Sequence, residues 1–380
     1  MRSEARVDLD AITANARRLD ELAGPAGLMA VVKADGYGHG LVPSARAVLA
    51  GGAAWLGVAF IEEALALRAA GIDAPVLAWL FAPAEDLGPA VAADVDLGIY
   101  DEAELAAAQQ AARATGRTAR LHLKVDTGLS RGGATPAAWP ALCEAAAKAQ
   151  ADGAVQVVGV WSHFAFADGG PDHEVNLQQV AVFDRALEVA ARAGLDPQVR
   201  HLANSAATLT APATHYDLVR PGVSLYGLSP VPQLGSPADF GLRPAMTLAS
   251  TVTLTKRVPA GSGVSYLHRY RAERDTTLAL VPLGYADGVP RAGTNALSVQ
   301  LAGRRRRIAG TVCMDQFLLD VGDDDVHAGE QVLLFGPGDA GEPTAQEWAD
   351  ALGTIDYEVV TRVGVRVPRT YGGALAAGTR

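Results

Sequence analysis

Cysteine is nearly absent: Cys143 and Cys313 are the only two in 380 residues. They are too few and too far apart for a disulfide framework, which fits a reducing compartment. Basic excess is missing as well. The 32 Lys and Arg are outnumbered by 42 Asp and Glu, a formal net charge of −10, opposite in sign to the footprint of a general nucleic-acid binder. The one basic run, Arg304-Arg305-Arg306-Arg307, lies between apolar strand-like segments and reads as a solvated edge or turn. No apolar stretch is long enough to span a bilayer: the longest, around Ala47 to Phe60, is rich in glycine and stops at Glu62-Glu63. The segment from Met1 to Asp10 carries charges of both signs and no apolar core, so it does not read as a secretory signal. Metal-type Cys/His spacings, a nucleophile elbow and long polar tracts of disorder are missing too. These absences lead us to expect a soluble, cytoplasmic protein with no resident metal, no nucleic-acid partner and no membrane partner.

What is present is a regular alternation. Apolar runs at Leu28–Lys33, Trp55–Phe60, Pro75–Leu80, Val95–Tyr100, Ala119–Val125, Val155–Ser162, Val199–Ala203 and Asp217–Tyr226 read as strands. Alanine-rich segments of helical period separate them and close near glycines such as Gly71, Gly116 and Gly194. Eight such alternations predict a (β/α)8, TIM-like barrel, although an open doubly wound sheet shows the same periodicity. A linker follows at Pro230, Pro232, Gly235, Ser236 and Pro237. Beyond it, alternating β-branched runs at Met246–Lys256, Thr276–Leu283, Ala296–Leu301, Ile308–Val321 and Gln331–Phe335 predict a mostly β domain. One helix interrupts it, opened by Thr344 with Glu347 in a capping box. The expected division is residues 1–240 for the barrel and 241–380 for the β domain. A glycine pattern at Gly336–Gly341 imitates a dinucleotide fingerprint, but no βαβ unit surrounds it and a Gly/Pro turn is the expected structure.

Chemistry in a barrel gathers where strands end. Lys33 closes a buried strand and is followed by Ala34-Asp35-Gly36-Tyr37-Gly38-His39-Gly40. An ammonium there is costly to bury, and desolvation lowers its pKa toward values that suit Schiff-base formation with an aldehyde cofactor. The glycines add a tight turn where backbone can approach a ligand.

This run resembles the cofactor-lysine signature of the bacterial, pyridoxal-phosphate-dependent alanine racemases. Further segments match that family in order along nearly the whole chain. They are Lys124-Val125-Asp126-Thr127-Gly128-Leu129-Ser130-Arg131, Ser162-His163-Phe164-Ala165 and Ala203-Asn204-Ser205. Then come Val219-Arg220-Pro221-Gly222, Gly263-Val264-Ser265-Tyr266, Gly284-Tyr285-Ala286-Asp287-Gly288, Cys313-Met314-Asp315-Gln316 and Tyr357-Glu358-Val359. Leu129 departs from the family's common methionine, an apolar exchange of similar volume.

The resemblance implies a barrel holding pyridoxal 5'-phosphate and a β domain that completes the site of a second copy in a head-to-tail homodimer. Lys33 would carry the cofactor as an aldimine and act as one base; Tyr266 of the other copy would serve the opposite face of the substrate. A phenol with a pKa of about 10 needs help in that role, and by resemblance His163 and Arg220 supply it. Arg220 would also face the pyridine nitrogen, to which an arginine cannot hand over a full proton. Tyr37, Asn204, Ser205, Gly222, Val223 and Tyr357 are the implied cofactor ligands, Asn204 chiefly as an orienting group. Arg131 and the Met314 N–H would hold the substrate carboxylate, with Lys124, often carbamylated in the family, orienting the arginine. Tyr285 and Tyr357 would form a narrow gate for small side chains. The implied activity is interconversion of L- and D-alanine for cell-wall precursors. A serine-preferring racemase shares the scaffold. A decarboxylase would want an acid where Arg220 stands, and a barrel-only cofactor carrier would lack Tyr266 and its domain.

Overall fold

The computed structural model describes residues 2–378. The chain forms two compact units. One holds Ile12–Gly36 and Leu41–Leu242; the other gathers the chain up to Ala11, Tyr37–Gly40 and the chain from Arg243 onward. Strand β1 (Ser3–Asp8) belongs to the latter.

The first unit is a barrel. Its strands are β2 (Gly27–Val31), β3 (Trp55–Val58), β4 (Val76–Ala78), β5 (Val95–Ile99), β6 (Ala119–Lys124), β7 (Val155–Trp161), β8 (Val199–His201) and β9 (Leu218–Val219). Each pairs in parallel with the next from β2 to β8, and β9 pairs in parallel with β2. Asp217 N–H donates to Arg200 O at 3.1 Å and Arg220 N–H to Ala203 O at 2.9 Å, which draws β9 to β8 and leaves the sheet nearly closed. The open-sheet alternative is therefore excluded. Local chemistry sets the helices between strands. Glu102–Thr115 starts where the Asp101 side chain accepts from Glu104 N–H and ends at left-handed Gly116, burying Leu105, Ala108, Ala111 and Ala112.

The lumen is not apolar. In β5 and β6, period two puts Asp96, Gly98 and Tyr100 on one face, and Arg120, His122 and Lys124 likewise. Gly159 on β7 makes room for them: a Cβ there would fall 2.3 Å from His122 Nδ1.

The second unit is mostly β. Its strands are β10 (Met246–Thr251), β11 (Leu254–Val258), β12 (Gly263–Val264), β13 (Tyr270–Arg271), β14 (Thr276–Val281), β15 (Ser298–Leu301), β16 (Arg304–Arg307), β17 (Phe317–Gly322), β18 (Gln331–Phe335) and β19 (Arg369–Gly372). One sheet has the order β16-β15-β18-β10-β1-β19, a second β11-β14-β17, and β12-β13 form a ribbon. The single run expected over Met246–Lys256 is two strands in different sheets, and of Ile308–Val321 only β17 is extended, with a lone bridge at Ile308. The arginine run is an edge strand: Arg304 and Arg306 pair with Asp324, and Arg305 with Glu347. The glycine pattern is a turn folded around a buried carboxylate, with Glu342 accepting from Gly338 N–H and Ala340 N–H at 2.8 and 2.9 Å. The capping box forms, with Glu347 N–H on Thr344 Oγ1 at 3.1 Å and Thr344 N–H on Glu347 Oε2 at 2.7 Å. Among the described residues, no helix is long and apolar enough to cross a membrane. Nor does any group of three or more His, Cys, Asp or Glu among them suit a metal ion.

Candidate active site

Lys33 stands at the C-terminal end of β2, half-buried, with Nζ 5.9 Å from the centre of the Trp79 ring. The backbone after it is unusual. Ala34, Asp35 and Gly36 have φ of 53°, 54° and 61°, and Tyr37 has 52°, a left-handed turn that costs a non-glycine residue about 1–2 kcal/mol each. Side chains hold it in place. Glu63 Oε1 accepts from Ala34 N–H at 2.6 Å while its Oε2 accepts from Ala59 N–H, and Asp35 Oδ1 accepts from Leu41 N–H. Burial lowers the Lys33 pKa, Arg131 lowers it further, and Glu63 opposes both.

Lys124, at the end of β6, is 4% exposed and lies between the Tyr100 and Trp161 rings, 4.7 Å from each centroid. Burial first, then Arg131 and Arg220, bring its pKa down to about 8. The loop from Lys124 to Arg131 is shaped by Asp126, whose Oδ1 accepts from Gly128 N–H and Ser130 N–H. Arg131 reaches the exposed rim.

Arg220 follows β9 and is buried over the Trp161 ring, 5.0 Å from its centre. It donates to Ser162 O at 2.7 Å, Leu202 O at 3.3 Å, His201 Nδ1 at 3.1 Å and His163 Nδ1 at 3.3 Å. Burial lowers its pKa to about 9, which leaves it charged at neutral pH. His163 is held well below the ordinary histidine range, first by burial and then by Arg220, Arg131, Lys124 and Lys33. An arginine can only donate, so neutral His163 accepts at Nδ1 and carries its proton on Nε2. Beyond β8, Asn204 Oδ1 caps the helix Ser205–Thr210 by accepting from Ala207 N–H at 3.0 Å. Ser205 Oγ accepts from Gly222 N–H at 2.8 Å, and the turn Val223–Tyr226 begins directly after. A hydroxyl and adjacent backbone N–H groups thus cluster at one end of a cationic rim, the donor set for a phosphate.

The remaining candidates lie on the β unit. Tyr37 is buried, its ring centre 6.3 Å from that of Tyr357, and burial pushes its phenol pKa up. Tyr285 and Met314 are exposed on adjoining loops joined by Tyr285 N–H to Cys313 O and Ala286 N–H to Met314 O, both 3.0 Å. Only glycine at 284 permits this approach, since a Cβ would come within 2.3 Å of both carbonyl oxygens. Tyr266 is 71% exposed on a tip where Ser265, Leu267 and His268 all have positive φ. The Thr311 hydroxyl fastens the tip by donating to Tyr266 O at 2.7 Å.

Within the barrel unit, then, Lys33, Lys124, Arg131, His163, Arg220, Asn204, Ser205, Gly222 and Val223 all stand at or just beyond strand ends. Sequence reasoning overlooked Glu63, Trp79, Tyr100, Trp161 and the buried group Asp96, His122 and His201. A signal for Asp96 and His122 existed: a lone acid in β5 and polar residues at every second position of β6, in strands that should be apolar on both faces.

Comparison with known proteins gives one family. The alanine racemase N-terminal domain matches residues 7–230, and the alanine racemase C-terminal domain matches residues 245–371. The alanine racemase of Frankia casuarinae is 65% identical over 98% of this chain and 96% of its own length. The crystal structure of alanine racemase from D-cycloserine-producing Streptomyces lavendulae superposes with a TM-score of 0.98 at 52% identity, over 100% of this chain and 99% of that one. The alanine racemase of Bacillus anthracis, solved with bound L-Ala-P, gives 0.89 at 35% identity, over 98% and 96%.

Proposed function

The chain belongs to the alanine racemase family, and we propose that it interconverts L- and D-alanine with pyridoxal 5'-phosphate. We propose further that it works in the cytoplasm as a head-to-tail homodimer, supplying D-alanine for cell-wall precursors. One observation carries the reading. Four cations, Lys33, Lys124, Arg131 and Arg220, bear on one neutral histidine in a chain whose net charge is −10. Such a rim suits a phosphate-bearing aldehyde and a substrate carboxylate together.

The residues fit that cofactor. Lys33 is a half-buried amine with a lowered pKa, and Ser205, Gly222 and Val223 offer phosphate donors, with Tyr37 and Tyr357 as phenolic ligands. Asn204 keeps Ser205 in place through its cap. When bound, the pyridoxal group supplies the electron sink for charge at the substrate α-carbon. Arg220, charged and fixed by four acceptors, offers the ring nitrogen a hydrogen bond without surrendering a proton. Lys33 exchanges a proton on one face of the α-carbon. On the other face stands Tyr266 of a second copy, a role its exposure and hydrogen-bonded tip support. His163, with its proton on Nε2, would donate to and stabilise that phenolate. Arg131 and the Met314 N–H hold the carboxylate, Lys124 steadies Arg131, and Tyr285 with Tyr357 limits side-chain size.

The test is incubation of the cofactor-loaded protein with L-alanine in deuterated water. D-alanine carrying α-deuterium is expected. Bound cofactor with neither exchange nor inversion would remove alanine as substrate. Tyr266→Phe should retain cofactor and lose about 10²–10⁴-fold in racemisation; unimpaired turnover would refute the two-base assignment.

A further inference from the structure

Beneath Arg220 the barrel lumen holds a file of polar side chains that ends on Asp96. Arg220 Nη1 donates to His201 Nδ1 at 3.1 Å. His201 Nε2 and His122 Nδ1 are 2.8 Å apart, and His122 Nε2 lies 3.2 Å from Asp96 Oδ2. Asp96 Oδ1 then accepts from Arg120 Nε at 2.6 Å. Asp96, His122 and His201 are all 0% exposed. Trp161 stacks flat on His201 at 5.7 Å, and Trp55 meets His122 in a T-shaped pair at 5.3 Å, so each imidazole is packed against an indole.

The polarity of the file follows from its ends. Arginine only donates and an ionised carboxylate only accepts. His201 must therefore accept at Nδ1 and donate from Nε2; His122 must do the same. Every link donates away from Arg220 toward Asp96. We propose that Asp96 is a positioning residue for the reaction: it locks His122 and His201 in the Nε2–H tautomer, so that a lone pair always faces Arg220 and fixes its guanidinium. The inference rests on the reading of Arg220 as the partner of the cofactor ring nitrogen.

Asp96→Asn reverses the file. The amide oxygen stays on Arg120, the charged and shorter contact, and the amide NH₂ turns to His122 Nε2. His122 then carries its proton on Nδ1, His201 does likewise, and an N–H points at the Arg220 N–H. Arg220 must move, at a distance from the substitution.

In the holoenzyme, ¹⁵N-histidine NMR of the unaltered protein should show both rings protonated at Nε2 only. Asp96→Asn should shift the absorption spectrum of bound pyridoxal phosphate and lower kcat by roughly 10- to 100-fold with little change in KM, the scale of lost supporting contacts. A ring protonated at Nδ1 in the unaltered enzyme overturns the proposal without any variant. So does an Asp96→Asn enzyme that melts earlier but keeps its spectrum and kcat, since that is a merely structural residue. Arg220→Lys is the control. If it changes the spectrum and Asp96→Asn does not, the positioning role fails while the reading of Arg220 stands; if Arg220→Lys itself leaves the spectrum unchanged, that reading fails and the inference falls with it.

Discussion

Between β5 and β9 the barrel lumen is filled by Asp96, His122, His201, Arg220 and Trp161, whereas the core of the β unit holds Val7, Leu248, Val299, Val332, Phe335 and Trp348, none more than 1% exposed. Both interiors are buried. In the β unit, order comes from shape, and each residue contributes through the area it buries. In the lumen it comes from direction, because every ring nitrogen and carboxylate oxygen must meet a partner of the right kind. An apolar core tolerates exchange of similar volumes; a polar file tolerates almost none. The lumen is also where orientation is needed, since its upper end carries Arg220, His163 and Lys124. The two regions should therefore fail in different ways.

The largest effect expected from that contrast is on stability in the β unit. Trp348 packs edge-on against Phe335 at 5.3 Å and donates from Nε1 to Ser298 O at 2.9 Å. Trp348→Ala should cost about 3–5 kcal/mol, read as a lowered urea midpoint. Trp348→Phe, which keeps most of the volume and loses only the hydrogen bond, should recover most of it. Equal damage from both would show that the β unit too depends on direction.

The same contrast explains what could be read ahead of the structure. Strands β2 to β8 and the Thr344 helix are legible because local period and capping announce them, whereas the run expected over Asp217–Tyr226 is extended only at Leu218–Val219 and turns from Val223 to Tyr226. The glycines after Lys33 announce a tight turn, but its left-handed backbone at Ala34, Asp35 and Tyr37 is hidden, since these residues do not advertise positive φ as glycine does. Strand β1 went unread although Ser3, Ala5 and Val7 alternate inward, because its partners Ser250 and Arg369 lie far along the chain. The segment-by-segment match to a family pointed to Lys33, Arg131, His163 and Arg220, but Asp96 and His122 act through neighbours and left only a faint alternation in β5 and β6, and Glu63, on the helix Ile61–Ala69, left none. Tyr266 is the reverse case: its exposure was invisible in sequence, and its motif was not.

Acid should weaken the lumen first. His163 and His201 are both held well below their ordinary range, chiefly by burial. Below a pH of about 6.5 the unfolded chain takes up protons that the folded one refuses, so stability falls as pH falls, by up to about 1.4 kcal/mol per pH unit for each ring. Lys124, brought down to about 8, acts in the same sense between that value and its unfolded pKa, where stability rises with pH. Urea midpoints at pH 7, 6 and 5 check this. His163→Gln should flatten the acid limb, and an unchanged slope would exonerate that ring.

The smallest effects should come from two helix caps, and they sharpen the comparison most finely. Thr344 caps Ala345–Leu352 in the β unit through Glu347 N–H at 3.1 Å, and Asn204 caps Ser205–Thr210 in the barrel through Ala207 N–H at 3.0 Å. Each carries one side-chain bond to an otherwise orphaned N–H, so Thr344→Ala and Asn204→Ala should each cost about 1 kcal/mol. Their consequences should part at that point. Thr344→Ala leaves only the Glu347 N–H without its side-chain acceptor, while the Glu347 carboxylate keeps the residue-344 N–H and Arg305. Asn204→Ala loosens the first turn of the helix that presents Ser205 Oγ to Gly222 N–H, and should weaken pyridoxal-phosphate binding severalfold in an equilibrium titration. Equal stability losses with unequal cofactor affinities would show that the same bond does different work in the two regions. Unaltered affinity in Asn204→Ala would confine Asn204 to the role of a helix cap.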